Sequence, residues 1–139
     1  MSTHEIVTTW AGEMAFTSDF DDYAVRMDTN PEMGRTGPGA SPKKLLLAAL
    51  AGCSGMDVVS LLKKMRQSLS WFDMRVTGEL TEGHPAYYKS MEIVYRFKAS
   101  DGLEADKVEK AVGYSQERYC GVSALYKLAI PVTFRIEYI

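Results

Sequence analysis

The stretch Ser41–Arg66, SPKKLLLAALAGCSGMDVVSLLKKMR, constrains the fold more than any other part of this chain. Ser41 is a favoured helix N-cap, and Pro42 suits the first helical turn, where a missing N–H is no loss. From Leu45 to Met56 no residue is charged, so the predicted helix is apolar nearly all round. Such a helix belongs inside a protein rather than on its surface. About 25 helical residues reach about 37 Å, more than the diameter of a small domain. Near the middle stands Gly52-Cys53-Ser54-Gly55, a thiol between two glycines that each cost about 1 kcal/mol in a helix interior.

A chain of 139 residues can bury a genuine core, and we read residues 1–139 as a single domain. The formal net charge of −2 leaves no basic excess to neutralise phosphates, which argues against nucleic acid as the main partner. The opening residues, MSTHEIVTTW, carry an acid and neither a basic nor a long apolar run, so they do not read as a signal peptide. The apolar core of the helix is short for a membrane span and is interrupted by Asp57. Two cysteines, 67 positions apart, do not make the disulfide framework of a secreted protein. We therefore expect a soluble, cytoplasmic protein with no membrane partner and with its thiols reduced at rest.

Before the helix, Glu5–Phe16 is expected to be one strand, with Gly12 marking a bulge or a close approach, and Tyr23–Met27 a second. Asn30–Ala40, NPEMGRTGPGA, is a loop that runs into the helix N-cap. After the helix, Trp71–Leu80 and Ser90–Ala99 read as an antiparallel hairpin, with Met91, Ile93, Tyr95 and Phe97 on one face. A second helix opens at Asp101 or Gly102 and runs to about Tyr114, with Leu103, Val108 and Val112 inward. Cys120-Gly121 breaks it, Val122–Leu128 is a short helical piece, and Pro131–Ile139 is a closing strand. The order β-β-α-β-β-α-β points to an α+β fold with a mainly antiparallel sheet. Five strands give one long apolar helix too little cover, so we expect an obligate homodimer that buries it from both sides.

Cys53 and Cys120 are the residues with the most chemical potential. A free cysteine often fills space in a core. Around Cys53, however, Gly52, Ser54 and Gly55 leave room for a substrate or a partner backbone, which a packing cysteine does not need. Cys53 lies about eleven residues into the helix, too deep for the N-terminal dipole to activate it. Asp57, one turn on, opposes thiolate formation, so activation has to come from a cation supplied elsewhere. Arg35, in the glycine-rich loop that leads into the helix, is the first candidate, and Arg118 the second. If Cys53 and Cys120 approach within about 7 Å between Cα atoms, they can act as a peroxidatic and a resolving thiol. His4 and His84, the only histidines, have no zinc-like spacing. There is no G-x-S-x-G elbow, and Gly34–Lys43 lacks the Lys-Ser/Thr ending of a phosphate loop.

Ser41-Pro42-x-x-Leu45-Leu46-Leu47-Ala48-Ala49-Leu50-Ala51-Gly52-Cys53, followed by Asp57-Val58-Val59-x-Leu61-Leu62-Lys63-Lys64, resembles the central helix of the OsmC/Ohr family. Tyr119-Cys120-x-Val122-Ser123 resembles its second cysteine motif, and Trp10-x-Gly12-x-Met14-x-Phe16 also fits, most closely the YhfA-like branch. The likeness covers essentially the whole chain. It implies an intertwined homodimer with active sites at the subunit interface and no metal, flavin or other cofactor. It further implies that a thiol like Cys53 attacks an organic hydroperoxide and that one like Cys120 resolves the sulfenate. A dithiol or a lipoylated protein then reduces the disulfide. The chain departs from the family at Lys43 and Lys44, where a glutamate commonly follows the Ser/Asn-Pro.

Two functions follow. The first is a thiol-dependent peroxidase for organic hydroperoxides, with Cys53 as nucleophile, Cys120 as resolving thiol and Arg35 as activator. The alternative, favoured by Lys43 and Lys44, is a protein of the same fold that binds a small apolar or thiol-reactive ligand in the dimer cleft without peroxidase turnover.

Overall fold

Gly12 and Glu13 adopt positive φ values of 96° and 49°, and they fold the first predicted strand back on itself. Glycine takes that conformation without steric cost, so the position expected to carry a bulge carries a reversal instead. The result, in a computed structural model that describes residues 2–139, is two strands where one was expected: β1 (Val7–Trp10) and β2 (Phe16–Asp19). The Trp10 indole N–H donates to the Glu13 carbonyl at 2.8 Å and closes the turn. With β3 (Ala24–Met27) they form a three-stranded antiparallel sheet in the order β1-β2-β3.

The described residues divide into two compact units, one ending at Leu46 and one running from Leu47 to Ile139. In the first, the glycine-rich loop is a built structure. Ala40 returns to β3 through a parallel bridge to Met27, with Asp28 N–H on Ala40 O at 3.0 Å and Ala40 N–H on Arg26 O at 2.8 Å. The buried Asp28 carboxylate accepts from the Thr29 N–H at 2.8 Å and the Thr36 N–H at 3.2 Å, and Arg26 pairs with it at 3.1 Å. Burial alone would raise the Asp28 pKa, but those two amides and the Arg26 guanidinium outweigh it and hold the carboxyl below its usual value.

The helix α1 (Pro42–Lys64) begins in the first unit and continues into the second. Its C-terminus closes as a Schellman motif: Gln67 N–H reaches Leu62 O at 2.9 Å, Arg66 N–H reaches Lys63 O at 3.1 Å, and Arg66 sits at φ 60°. The helix therefore stops two residues short of the expected end. By length and composition alone, with a mean hydropathy of 2.0 over its most apolar window, α1 is long and apolar enough to cross a membrane, a test that the core helix of a soluble protein also passes.

In the second unit β4 (Phe72–Leu80) pairs antiparallel with β5 (Tyr88–Phe97), as expected, and β5 pairs parallel with β6 (Val132–Tyr138). The sheet expected to be mainly antiparallel thus has one parallel junction, made by the closing strand. Met91, Ile93, Tyr95 and Phe97 are all buried on the face that alternation assigned them. Against it pack Leu50, Val58 and Leu62 of α1, and Val108, Ala111 and Val112 of α2 (Ala105–Tyr114). The second predicted helix is shorter than expected, because Ala99–Asp101 forms a 3-10 turn ended by Gly102 at φ 63°. Among the described residues the order is β-β-β-α-β-β-α-α-β, an α+β fold with two three-stranded sheets.

Candidate functional site

The two glycines that flank Cys53 stand there for different reasons. A Cβ on Gly55 would lie 2.5 Å from the Met74 methyl, so this glycine lets α1 approach β4. That is a packing gain which sequence reasoning missed. A Cβ on Gly52 would meet no atom within 4 Å. The position at Gly52 is therefore open, while the one at Gly55 is filled by Met74.

Between α2 and α3 (Gly121–Lys127) the chain makes a π turn, Ser115–Tyr119. The Cys120 N–H reaches back to the Ser115 carbonyl at 2.8 Å, a five-residue step in place of the usual four. Cys120 then becomes the N-cap of α3, its sulfur accepting the Ser123 N–H at 3.3 Å. The break expected at Cys120-Gly121 is therefore a change of helical register followed by a fresh helix start.

This path brings the Cys120 thiol close enough to the Cys53 thiol for the two to interact. Cys120 is 2% exposed, while Cys53 is half-buried. Burial first, and the neighbouring Cys53 thiol with it, push the Cys120 thiol up to about 11 from an ordinary 9.0, against the opposing Ser123 N–H. Both cysteines are free thiols.

Around the pair lies a polar cluster that the sequence did not reveal. Ser54 Oγ stands 2.5 Å from the Tyr95 hydroxyl and 2.8 Å from Ser115 Oγ. Ser115 Oγ lies 3.0 Å from Asp57 Oδ2. The Gln116 amide nitrogen is 2.7 Å from the Tyr95 hydroxyl, and its oxygen accepts from Ser123 Oγ at 2.8 Å. Ser54, Ser115, Gln116 and Ser123 are all buried, and among the described residues no buried side-chain polar atom lacks a partner. The only hint in the sequence is a Ser-Gln pair directly after an amphipathic helix.

Arg35, the other predicted site residue, lies in the first unit and is exposed. Its guanidinium donates to Gly37 O at 2.8 Å and to Gly39 O at 3.3 Å, so the loop fixes its orientation. Arg118 lies over the Tyr114 ring, 4.5 Å from its centroid. Lys43 and Lys44 are exposed in the first turn of α1, which holds no acid. No cluster of three or more potential metal ligands occurs among the described residues.

Comparison with known proteins agrees with this architecture. The family model described as OsmC-like protein matches residues 34–135. Protein YhfA of Escherichia coli K12 is 33% identical over 105 residues, which cover 75% of this chain and 78% of that protein. A crystal structure of a hypothetical protein from Aquifex aeolicus VF5 superposes with a TM-score of 0.83 at 28% identity, over 100% of this chain and 99% of that one. An organic hydroperoxide resistance protein OsmC from Legionella pneumophila shares the fold at 17% identity, with a TM-score of 0.69 over 100% of both chains.

Proposed function

The chain belongs to the OsmC-like protein family, and from that membership we propose that it is a thiol-dependent peroxidase for organic hydroperoxides. The observation that carries the reading is the interaction between the Cys53 and Cys120 thiols, 67 positions apart in the chain. The Cys53 thiolate attacks the terminal oxygen of the hydroperoxide, the O–O bond breaks, and the departing alkoxide takes a proton to leave as alcohol. The Cys120 thiol then condenses with the Cys53 sulfenic acid, and water leaves as the disulfide forms. An external dithiol, free or on a lipoylated protein, returns both sulfurs to thiols.

The division of roles follows from burial. At pH 7 a thiol near 11 is thiolate in only about one molecule in ten thousand, so Cys120 is the poorer attacking group. Cys53, half-buried where Cys120 is buried, is the one a peroxide can reach. Arg35 is our candidate for the guanidinium that favours the Cys53 thiolate. The reading includes a homodimer, with residues 1–139 acting as one domain. Only five of the 23 residues of α1 are buried, and Met56 and Val59 are 76% and 46% exposed, so a second copy would supply the missing cover. On this reading α1 is the core helix of a cytoplasmic dimer, not a membrane span.

The lysines at the start of α1 favour the second reading, a ligand-binding protein of the same fold without turnover. Intact mass before and after one equivalent of cumene hydroperoxide separates the two. The peroxidase reading expects a loss of about 2 Da, the two hydrogens given up in a disulfide, and no such loss in Cys53→Ser. Turnover with a dithiol reductant that survives Cys53→Ser would end the peroxidase reading.

A further inference from the structure

The buried polar cluster joins the very elements that carry the two thiols, and its hydrogen bonds run in one direction. Asp57 fixes that direction, because a carboxylate accepts and does not donate. Ser115 gives its proton to Asp57, so its oxygen accepts from Ser54. Ser54 has then spent its only proton and accepts from Tyr95. Tyr95, raised above its ordinary pKa by burial, keeps its proton and has only lone pairs left for Gln116. The Gln116 amide must therefore present nitrogen to Tyr95 and oxygen to Ser123, which donates to it. Ser123 is also the residue whose backbone N–H holds the Cys120 sulfur.

One carboxylate on α1 thus sets, through five side chains, the placement of the first turn of α3 and of the thiol that caps it. The π turn makes this placement consequential. One residue added to a helical turn rotates all that follows by about 100°. The extra residue of the π turn therefore decides where Cys120 stands around the axis, and Ser115 and Gln116 are the two π-turn residues tied to α1 and β5. Lys127 adds a fastening from α3, its ammonium donating to the Gln116 carbonyl at 2.8 Å.

We propose that Tyr95 and Gln116 are positioning residues for the thiol pair, holding the π turn in the register that sets Cys120 against Cys53. The inference rests on the disulfide chemistry proposed above and deepens it. Neither residue touches the substrate. They act through the distance and orientation of the two sulfurs, and therefore through the ease with which the pair closes.

The test is the equilibrium of the protein with glutathione. Reduced protein and one oxidised glutathione give the Cys53–Cys120 disulfide and two reduced glutathiones, so two electrons and two protons balance. We expect Tyr95→Phe and Gln116→Met to lower the effective concentration of one thiol at the other about tenfold, which raises the midpoint potential by about 30 mV. Ile93→Val, a core truncation on the same strand outside the cluster, should melt lower and keep the wild-type potential. Should Tyr95→Phe fail to fold, Gln116→Met and Ser123→Ala carry the same comparison. Variants that melt lower at an unmoved potential would show the cluster to be structural only and overturn the proposal. A wild-type protein that forms no Cys53–Cys120 disulfide in oxidised glutathione would sink this proposal together with the peroxidase reading.

Discussion

Raising the pH from 8 to 11 should destabilise this protein through Cys120, and the size of the effect follows from the burial of its sulfur. The folded thiol stands at about 11 and the ordinary value is 9.0. Above pH 9 the unfolded chain gives up this proton first, so between pH 9 and 11 the unfolded state binds fewer protons and stability falls as pH rises. The contribution is whole below pH 9 and lost by the time the pH passes the folded value. Two pKa units correspond to about 2.7 kcal/mol at most, and at pH 11 itself to about 2 kcal/mol. The assay is denaturant unfolding of wild type and Cys120→Ala at fixed protein concentration, at pH 8 and pH 11. The variant starts less stable because it leaves a small cavity, but it should lose about 2 kcal/mol less than wild type across the interval. Tyrosines and lysines remote from Cys120 titrate in both proteins and cancel in that difference, whereas the upward push of Cys120 on Tyr95 and Tyr126 is lost in the variant and counts with the Cys120 contribution. Parallel losses within about 0.5 kcal/mol, the usual additivity error, would show that the thiol is not held protonated by its surroundings. The burial argument for the roles of the two cysteines would then fail.

Two other perturbations test the surroundings of the site. Gly52→Ala should stabilise the helix by up to about 1 kcal/mol, or about 3 °C in Tm, since the new methyl meets nothing within 4 Å beyond its chain neighbours and its own turns of helix backbone. On the peroxidase reading it should also slow hydroperoxide turnover, because it fills an open position next to Cys53 in the chain; a variant equal to wild type in turnover would show that this space is not used. Asp28 holds the loop that carries Arg35, and its lowered pKa means its stabilisation is present above the ordinary 3.8 and lost as pH falls through the lower folded value. Protection of the Thr29 and Thr36 amides, taken against an unstructured amide at the same pH, should therefore fall in acid, and in Asp28→Asn at neutral pH; undiminished protection in that variant would refute the anchoring role.

What could be read from the sequence was what depends on neighbours along the chain. The helix over Pro42–Lys64 announced itself through Ser41-Pro42 and an uncharged run. The buried face of β5 followed from alternation at Met91, Ile93, Tyr95 and Phe97. Gly12 was noticed, but a bulge and a reversal draw on the same left-handed glycine, and only pairing with β2 decides between them. The closing strand was legible as a strand, yet its parallel place beside β5 was not, since hydrophobic pattern carries no direction. The reason for Gly55 lies on Met74, and the partners of Ser54 lie 41, 61 and 62 positions away. The π turn differs from an α-helix by one step of hydrogen-bond register, for which Ser115-Gln116-Glu117-Arg118-Tyr119 carries no residue signature.

Burial of one thiol and partial exposure of its neighbour also bear on what can reopen the pair once it has closed. Under the peroxidase reading, an incoming reductant meets the half-exposed Cys53 sulfur first, and attack there must expel Cys120. A leaving thiol with a pKa near 11 departs slowly and returns readily, because thiol–disulfide exchange favours the departure of the more acidic sulfur. A monothiol that succeeds leaves a mixed disulfide on Cys53 with the Cys120 thiol in contact range, and re-closure then competes with a second collision from solution. A dithiol carries its second sulfur with it, so its own ring closure competes on equal, intramolecular terms. The polar cluster sharpens this competition: the better Tyr95 and Gln116 hold Cys120 in place, the faster a monothiol is rejected. On that reading, the same geometry that helps resolve a sulfenic acid also selects a dithiol as the partner that restores the two thiols.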